Sequence, residues 1–548
     1  MGNRQSGLPR MGGSTGWYMV SAHPLREKEC VFDPSALFDW KREARCDIIT
    51  DSFRLGTSAL RRRMALAPSS EFLSRKDRKF QIPAKPRHCT GNSLPLFCRL
   101  KELLPKPGLC GFTERMTQRM NDSVEFIPLA PGVRFCTVRA SKFKTCRISL
   151  AAAVPLREET ASANAMLPFL LHRCCAKYPD FTTMNKKLAE AYGARVSAGV
   201  EKVGEAQVMR ISITCIADRF AFDGDGAVTE CVKLLCELFF HPHVENGAFD
   251  AQDVEREKRL LLERIENERN DKRTYALRRC EALMCEHEAY GINRYGTPEN
   301  VKSLTPQRLY EAWKALLSSG RLQFNLVGEA DVRAAQSLLK EELSRIEREA
   351  TPADAWETQI IPRAEQPRRV EERLPVQQGK LVLGYRMGYE QAPEDFSAVN
   401  VMVNVFGGSP QSLLFQNVRE KLSLCYYCSA RLFRQKGVMM VQSGVEFENA
   451  ERAITEISKQ LDAVRAGEFT HDDFDASVKS LADDYERLGG TPEELDDWYA
   501  FRLLEEAPAA PQSLAAQIRK VTREQAVEAA QKVTLDTIYL LMGEEDQA

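Results

Sequence analysis

The chain predicts an α+β fold made of two tandem, homologous domains, each a mostly antiparallel sheet with helices packed on one face. Three observations carry this reading. First, short segments recur in the same order: Phe249-Asp250-Ala251 returns as Phe474-Asp475-Ala476, and Tyr275-Ala276-Leu277-Arg278 as Tyr499-Ala500-Phe501-Arg502. Gly328-Glu329-Ala330-Asp331 likewise returns as Gly543-Glu544-Glu545-Asp546. The offsets of 225, 224 and 215 residues drift slowly, as loop insertions and deletions would make them. A period this long belongs to a whole domain and not to a solenoid repeat. Second, strand-like alternation and helical spacing follow one another in the same order within each copy. Third, 548 residues suffice for two or three domains with full-sized cores.

Residues 1–115 stand apart from that pattern. They carry 21 Lys/Arg against 11 Asp/Glu, whereas the rest of the chain carries 55 against 66. Arg61-Arg62-Arg63, prolines and isolated aromatics mix there without a sustained period. Such a segment buries too little apolar surface to offset its ordering entropy, so it reads as a basic, disordered extension. An organelle transit peptide is one reading, although its acids argue against it. A regulatory arm is another. The preferred reading is a start assigned too early, with Met116 or Met120 as the first residue, because domain-like patterning begins just after them.

The first domain spans residues 120–347. Residues 133–139 and 146–154 read as strands around a polar turn, 161–178 and 185–192 as helices, and 194–200 and 207–217 as strands again. Residues 226–240 place Val228, Val232, Leu235 and Leu238 at helical spacing. Residues 250–270 form a charged helix with Leu260, Leu261 and Ile265 on one face, helices continue to 317, and 322–328 is a closing strand. Residues 348–378, rich in Pro, Glu and Arg, read as an extended linker. The second domain, 379–546, repeats the order: a strand at 380–387, helices at 396–406 and 409–421, and strands at 425–433 and 437–445. Helices at 449–466 and 472–488 and a closing strand at 537–542 complete it.

The acidic body gives no reason to expect nucleic acid or anionic lipid as a partner. No run approaches the ~20 apolar residues of a membrane span. Sixteen cysteines are scattered along the chain, and no signal-peptide core precedes them, so they read as reduced thiols of a cytoplasmic protein.

Two further motifs, Tyr290-Gly291 followed by Gly296-Thr297-Pro298-Glu299-Asn300, and Arg419-Glu420-Lys421 followed by Leu424-Cys425-Tyr426, stand in the order of elements described above. Together with the duplication they resemble the insulinase-like (M16) zinc metallopeptidases and their inactive homologues, over residues 120–546. Active members of that family carry His-x-x-Glu-His on one helix and a third ligand Glu on a later one. Two histidines four apart hold zinc, the adjacent Glu polarises the bound water, and the distant Glu leaves one coordination position open. The matching stretch here is Pro168-Phe169-Leu170-Leu171-His172. Pro168 occupies the first ligand position and Leu171 the base position, and only His172 remains. Glu255 matches the third ligand, and the 225-residue offset places Ser480 there in the second copy. His172 and Glu255 as relic ligands are too few for a tight zinc site, and without a carboxylate at 171 a metal would lack its general base. The resemblance therefore implies no catalytic residue and no cofactor, zinc being expected only in active relatives.

Plainer readings stand beside these. His172 reads as a packed residue, and a thiolate site from His172, Cys175 (beside Cys174) and Glu255 matches no recognised spacing. His241-Pro242-His243 reads as a turn at a helix end, and Glu255 and Glu257 as a solvated helix face. Phe406-Gly407-Gly408-Ser409 could receive an anion at a helix start but has no phosphate-loop Lys, and reads as structural. Arg419 and Tyr426 match positions that contact substrate in active relatives, which makes them substrate-binding candidates against a packed Tyr and a loop Arg. The resemblance implies a catalytically inactive, peptide-binding subunit of a heteromeric zinc metallopeptidase. Its expected partners are an active M16-family sibling and a peptide or protein substrate. The arrangement is similar to bacterial pairs with one zinc-lacking member, in particular those linked by name to 5-aminopentanol modification of elongation factor P. Two alternatives remain: an active metallopeptidase with a rebuilt zinc site, and a structural core subunit of a larger, respiratory complex. If the chain starts at Met116 or Met120, the intact mass of the native protein falls well below 61.9 kDa. A mass near that value removes the early-start reading.

Overall fold

The computed structural model describes residues 123–222 and 226–544. The basic extension 1–115, with Met116 and Met120, lies outside the described residues. The first half opens with β1 (Ser123–Ala130), β2 (Val133–Arg139) and β3 (Thr145–Pro155), followed by α1 (Glu158–Leu171) and α2 (Phe181–Glu190). A hairpin of β4 (Arg195–Val203) and β5 (Ala206–Ile216) leads to α3 (Ala227–Phe240) and the short pair β6 (Val244–Glu245) and β7 (Ala248–Phe249). Then come α4 (Ala251–Asn270), α5 (Lys272–Met284), α6 (Pro298–Lys302), α7 (Pro306–Ser319), β8 (Arg321–Val327) and α8 (Val332–Leu343). The second half holds β9 (Arg368–Leu374), β10 (Gly379–Arg386), α9 (Ser397–Val403), β11 (Cys425–Phe433) and β12 (Val438–Val445). It closes with α10 (Ala450–Ala466), α11 (His471–Arg487), α12 (Pro492–Ala500), α13 (Pro511–Ile518), α14 (Arg523–Gln531) and β13 (Thr534–Gly543).

The two large sheets run β1-β2-β8-β3-β5-β4 and β11-β12-β10-β13-β9. β2 pairs parallel with β8 and β9 parallel with β13, while the other neighbours in both sheets are antiparallel. Setting β1 aside, both sheets have the same order along the chain: first strand, last, second, fourth, third. The sheets are mostly antiparallel, as the sequence predicts.

Several boundaries differ from expectation for local reasons. The helix expected over 161–178 ends at Leu171, because the backbone of Cys175 and Tyr178 turns to pair with itself, N to O at 3.0 and 3.1 Å. The next helix starts earlier than 185, at Phe181. There Asp180 accepts from the Thr182 and Thr183 amides and closes a capping box with Thr183. Residues 348–378 are more than a linker, since β9 within them is the parallel partner of β13 and completes the second sheet. The helices expected at 396–406 and 409–421 are α9 followed by two π-helical segments, Asn404–Gly408 and Leu414–Lys421. Gly407 lets the first of them pack closely on β11: a Cβ there would come within 2.6 Å of Leu414 and 2.8 Å of Ala430 on that strand.

Alternation along the strands gives each sheet two buried faces. Ile148, Leu150 and Ala152 of β3 and Leu322, Phe324 and Leu326 of β8 join the core that contains α1 and α3. The intervening Ala151 and Ala153 meet Ala500, Phe501 and Leu503 at the end of α12, a helix of the second half. The reverse holds for the second sheet. Val382, Met440, Tyr539 and Leu541 meet Ala276, Leu277, Cys280 and Met284 of α5, a helix of the first half. Each sheet thus carries its own half's helices on one face and a helix of the other half on its second face. The crossing helices carry, or end in, the repeated Tyr-Ala-Leu/Phe-Arg segments.

Charged groups fix both crossings. Asp496 on α12 has no exposed side-chain surface, and it accepts from Arg210 at 2.7 Å, Arg147 at 3.2 Å, Asn325 at 2.9 Å and Ser149 at 2.5 Å. At the other crossing Glu288 takes Arg386 through both oxygens, at 2.7 and 3.2 Å, and Lys436 at 2.5 Å. Lys436 also pairs with Glu205 at 2.6 Å, joining the β11–β12 and β4–β5 hairpin tips. Burial alone would raise the Asp496 carboxyl, but Arg210 and Arg147 override it and hold the group below its ordinary value. A depressed folded value stabilises the fold above the unfolded value, so this contribution is present at neutral pH and is lost as pH falls below about 4. Replacing Asp496 by Ala leaves Arg147 without a carboxylate and Arg210 with Asp497 alone, at 2.5 Å, and costs about 3–5 kcal/mol in denaturant unfolding at pH 7. A loss below about 1 kcal/mol, the range of an exposed pair, contradicts this account.

Candidate functional site

α1 is buried along nearly its whole length and places the degenerate motif at its last turn. Pro168 and Leu171 lie in the core, Leu171 only 2% exposed. His172 is the C-cap residue, and its Nδ1 lies 2.8 Å from the Phe169 carbonyl, so this nitrogen donates and satisfies a free helix-end acceptor. Burial lowers the imidazole's pKa, the bonds to Phe169 and Pro168 oppose this, and the nearby Arg173 and Arg264 charges add to the lowering. His172 is a neutral helix cap.

α4 packs against α1, but Glu255 does not face it. Its side chain is 70% exposed and pairs with Lys258 at 2.6 Å, one turn along the same helix. The solvated-face reading is right for Glu255 and wrong for Glu257, which is 2% exposed and bonds Arg173, just past α1, at 3.2 Å. Burial pushes the Glu257 carboxyl up, against the pull of Arg173 and Arg256. Farther along α4 the Arg264 guanidinium lies 4.1 Å over the Phe169 ring. The sequence holds a signal for this, since Val254, Glu257 and Leu261 share the buried stripe at helical spacing. Where the resemblance would place zinc, this junction presents Pro168, Leu171, a capping histidine and two arginines. That set does not fit a divalent cation. Among the described residues no group of three or more His, Cys, Asp or Glu is placed to hold a metal ion.

Other candidates dissolve into structure. Burial pushes the Cys174 thiol up to about 12 and raises that of Cys175, which disfavours a thiolate ligand. His241 caps α3 and its Nε2 meets Glu342 at 2.8 Å, while His243 faces Glu245 at 3.9 Å, so the two do not converge. Thr297 caps α6, its hydroxyl accepting from the Asn300 amide at 3.1 Å. Gly296 has φ +71° and lies so close to α1 that a Cβ would come within 2.0 Å of the Ser162 hydroxyl. The Gly-Thr-Pro-Glu-Asn motif is therefore a brace on the motif helix.

Arg419 and Tyr426 sit in the second half, and their contacts stay there. Arg419, on the second π-helical segment, lies 4.6 Å over the Phe415 ring with its Nε 3.6 Å from Glu420. Tyr426 is the extra residue of a β-bulge: Cys425 pairs with Val445 and Tyr427 with Gly444, so Tyr426 has no partner. It is 60% exposed and donates its hydroxyl to Glu446 at 2.5 Å. The bulge turns this ring to solvent on β11, an edge strand. The same strand carries Cys425-Tyr426-Tyr427-Cys428, a Cys-x-x-Cys spacing that a reading of scattered cysteines overlooks. Every cysteine among the described residues is free and buried.

Residues 303–481 match a family described as the Peptidase M16 inactive domain. The chain is 31% identical over 414 residues to the probable inactive metalloprotease YmfF of Bacillus subtilis, covering 76% of this chain and 96% of that protein. A conserved protein from Enterococcus faecalis superimposes with a TM-score of 0.71 at 27% identity, covering 78% of this chain and 100% of the other. The peptidase M16 inactive domain from Pseudomonas fluorescens shares the fold, with a TM-score of 0.61 at 16% identity over 78% of this chain and 100% of its own. The capping role gives a direct expectation. In an NMR pH titration His172 stays neutral to a pH below the ordinary 6.5, and its protonation on further acidification weakens the fold. A titration at or above 6.5 contradicts the buried cap.

Proposed function

The chain belongs to the M16 metallopeptidase family, and on that premise we propose that it is a catalytically inactive, peptide-binding subunit of a heteromeric zinc metallopeptidase. It works beside an active sibling of the same family. One observation carries the loss of catalysis: the junction of α1 and α4 is closed by a helix-capping His172, by Arg264 on Phe169 and by the Arg173–Glu257 pair. A hydrolytic site needs three protein ligands, an open position and a base, and Pro168 and Leu171 supply none of these. Tyr426 and Arg419 support retained peptide contact. The bulge holds Tyr426 on the surface although nothing in the second core requires it there.

The strand order common to the two sheets supports tandem duplication as the origin of the halves, and the reciprocal helix crossing supports a chain that acts as one unit. Free, buried cysteines support the cytoplasm as its compartment. No helix among the described residues is long and apolar enough to cross a membrane. Pairing with an active sibling is carried over from the family resemblance, since a subunit that holds peptide without cutting it needs a partner that cuts.

The isolated protein should hold less than about 0.1 zinc per chain by mass spectrometry and cleave no quenched peptide library, because two ligands at most cannot compete for the metal. Near-stoichiometric zinc with chelator-sensitive cleavage replaces this reading with a rebuilt site, to be mapped by His172→Ala and Glu255→Ala. An affinity-tagged chain purified from its native cells brings down a sibling bearing His-x-x-Glu-His. Recovery without such a partner removes the heteromeric part of the proposal.

A further inference from the structure

A cleft of about 220 Å³ opens between the end of α4, the outer side of α5, the edge strand β4 and the loop after Tyr290. Five cations line it: Lys202, Arg269, Arg278, Arg279 and Arg294. Only two carboxylates do, Glu268 and Glu281. The contrast is local, because residues 116–548 carry 55 Lys/Arg against 66 Asp/Glu.

The lining carboxylates are already engaged. Glu281 takes both Lys202 and Arg278, the latter at 2.8 Å, and Glu268 takes Arg294. Arg279 reaches out of the cleft to Glu372 at 3.3 Å. Arg269, exposed at the last turn of α4, forms no ion pair among the described residues. Arg278 keeps a buried Nε without a hydrogen-bond acceptor. Unmatched donors of this kind, in a cleft that focuses field lines, raise the local concentration of anions. Guanidinium forks match carboxylate geometry in particular.

We propose that this cleft binds the carboxylate side chains of an acidic peptide, which makes such peptides the preferred ligands of the protein. The inference rests on the peptide-binding reading above. The cations come from four separate elements. The cleft, at about 220 Å³, is larger than a single small anion needs.

The test uses the full chain and two fluorescein-labelled dodecapeptides, one Glu-rich and one with every Glu replaced by Gln, read by fluorescence anisotropy. At low ionic strength the Glu-rich peptide binds about tenfold or more tighter than its Gln counterpart, and the advantage shrinks in 0.5 M NaCl. Arg269→Glu, at an exposed position without an ion pair, weakens the Glu-rich peptide about fivefold or more and leaves the Gln peptide unchanged. Arg269→Gln gives a smaller loss in the same direction. Equal binding of both peptides, or no effect of either variant, overturns the cleft assignment while peptide binding stands. Failure of both peptides to bind overturns the peptide-binding reading and this inference with it. Inorganic phosphate is titrated against the bound Glu-rich peptide. Displacement no greater than by chloride of matched ionic strength supports the assignment, and displacement at micromolar phosphate shows a free-anion site and overturns it.

Discussion

The exchange of one helix between the halves is the constraint on which the rest of the structure depends. α5 covers the second sheet and α12 the first, and each crossing buries charge. Asp496 answers to Arg147 and Arg210, and Glu288 to Arg386 and Lys436. Buried charges of this kind add little net stability over apolar substitutes but penalise an arrangement that unpairs them. They therefore set the register of one half on the other more than the strength of the fold. Small residues at the contact let the helices come close. On β10 a Cβ at Gly384 would fall 2.6 Å from the Met284 sulfur of α5.

The motif helix is likewise fixed by packing. α1 is held by the first core, by the brace at Gly296 and by α4, none of which needs a bound ion. With Pro168 and Leu171 facing the core, the motif's last turn has become ordinary packing. His172 is retained in a different role, donating to a helix-end carbonyl from an environment that favours the neutral ring. The polar requirement of the junction is met by Arg173 on Glu257 and by Arg264 on the Phe169 ring. The junction thus holds positive charge of its own.

The second half is differently disposed. Its π-helical segments and the bulge at Tyr426 both depart from regular hydrogen bonding, and they meet at β11. Departures of this kind re-aim side chains. Arg419 and Tyr426 are the result, both reaching solvent near the edge of the sheet. Both side chains thus lie on the second half.

By itself the sequence determined the α+β class, most strands to within one or two residues, and that Pro168 and Leu171 stand where a first ligand and a base would be. These follow from local spacing and residue type, which need no knowledge of what lies opposite. Tertiary structure decided what local spacing does not hold. The strand inside 348–378 forms only because β13 offers it an edge. The 161–178 helix stops where the chain turns back on itself at Cys175 and Tyr178. Matching by position pointed to Glu255, yet the face of α4 that meets α1 carries Glu257 and Arg264, because helix rotation is set by the core stripe through Val254 and Leu261. The repeated Tyr-Ala-Leu/Phe-Arg segments were legible as a repeat, but their work, covering the opposite half's sheet, exists only once the two halves meet.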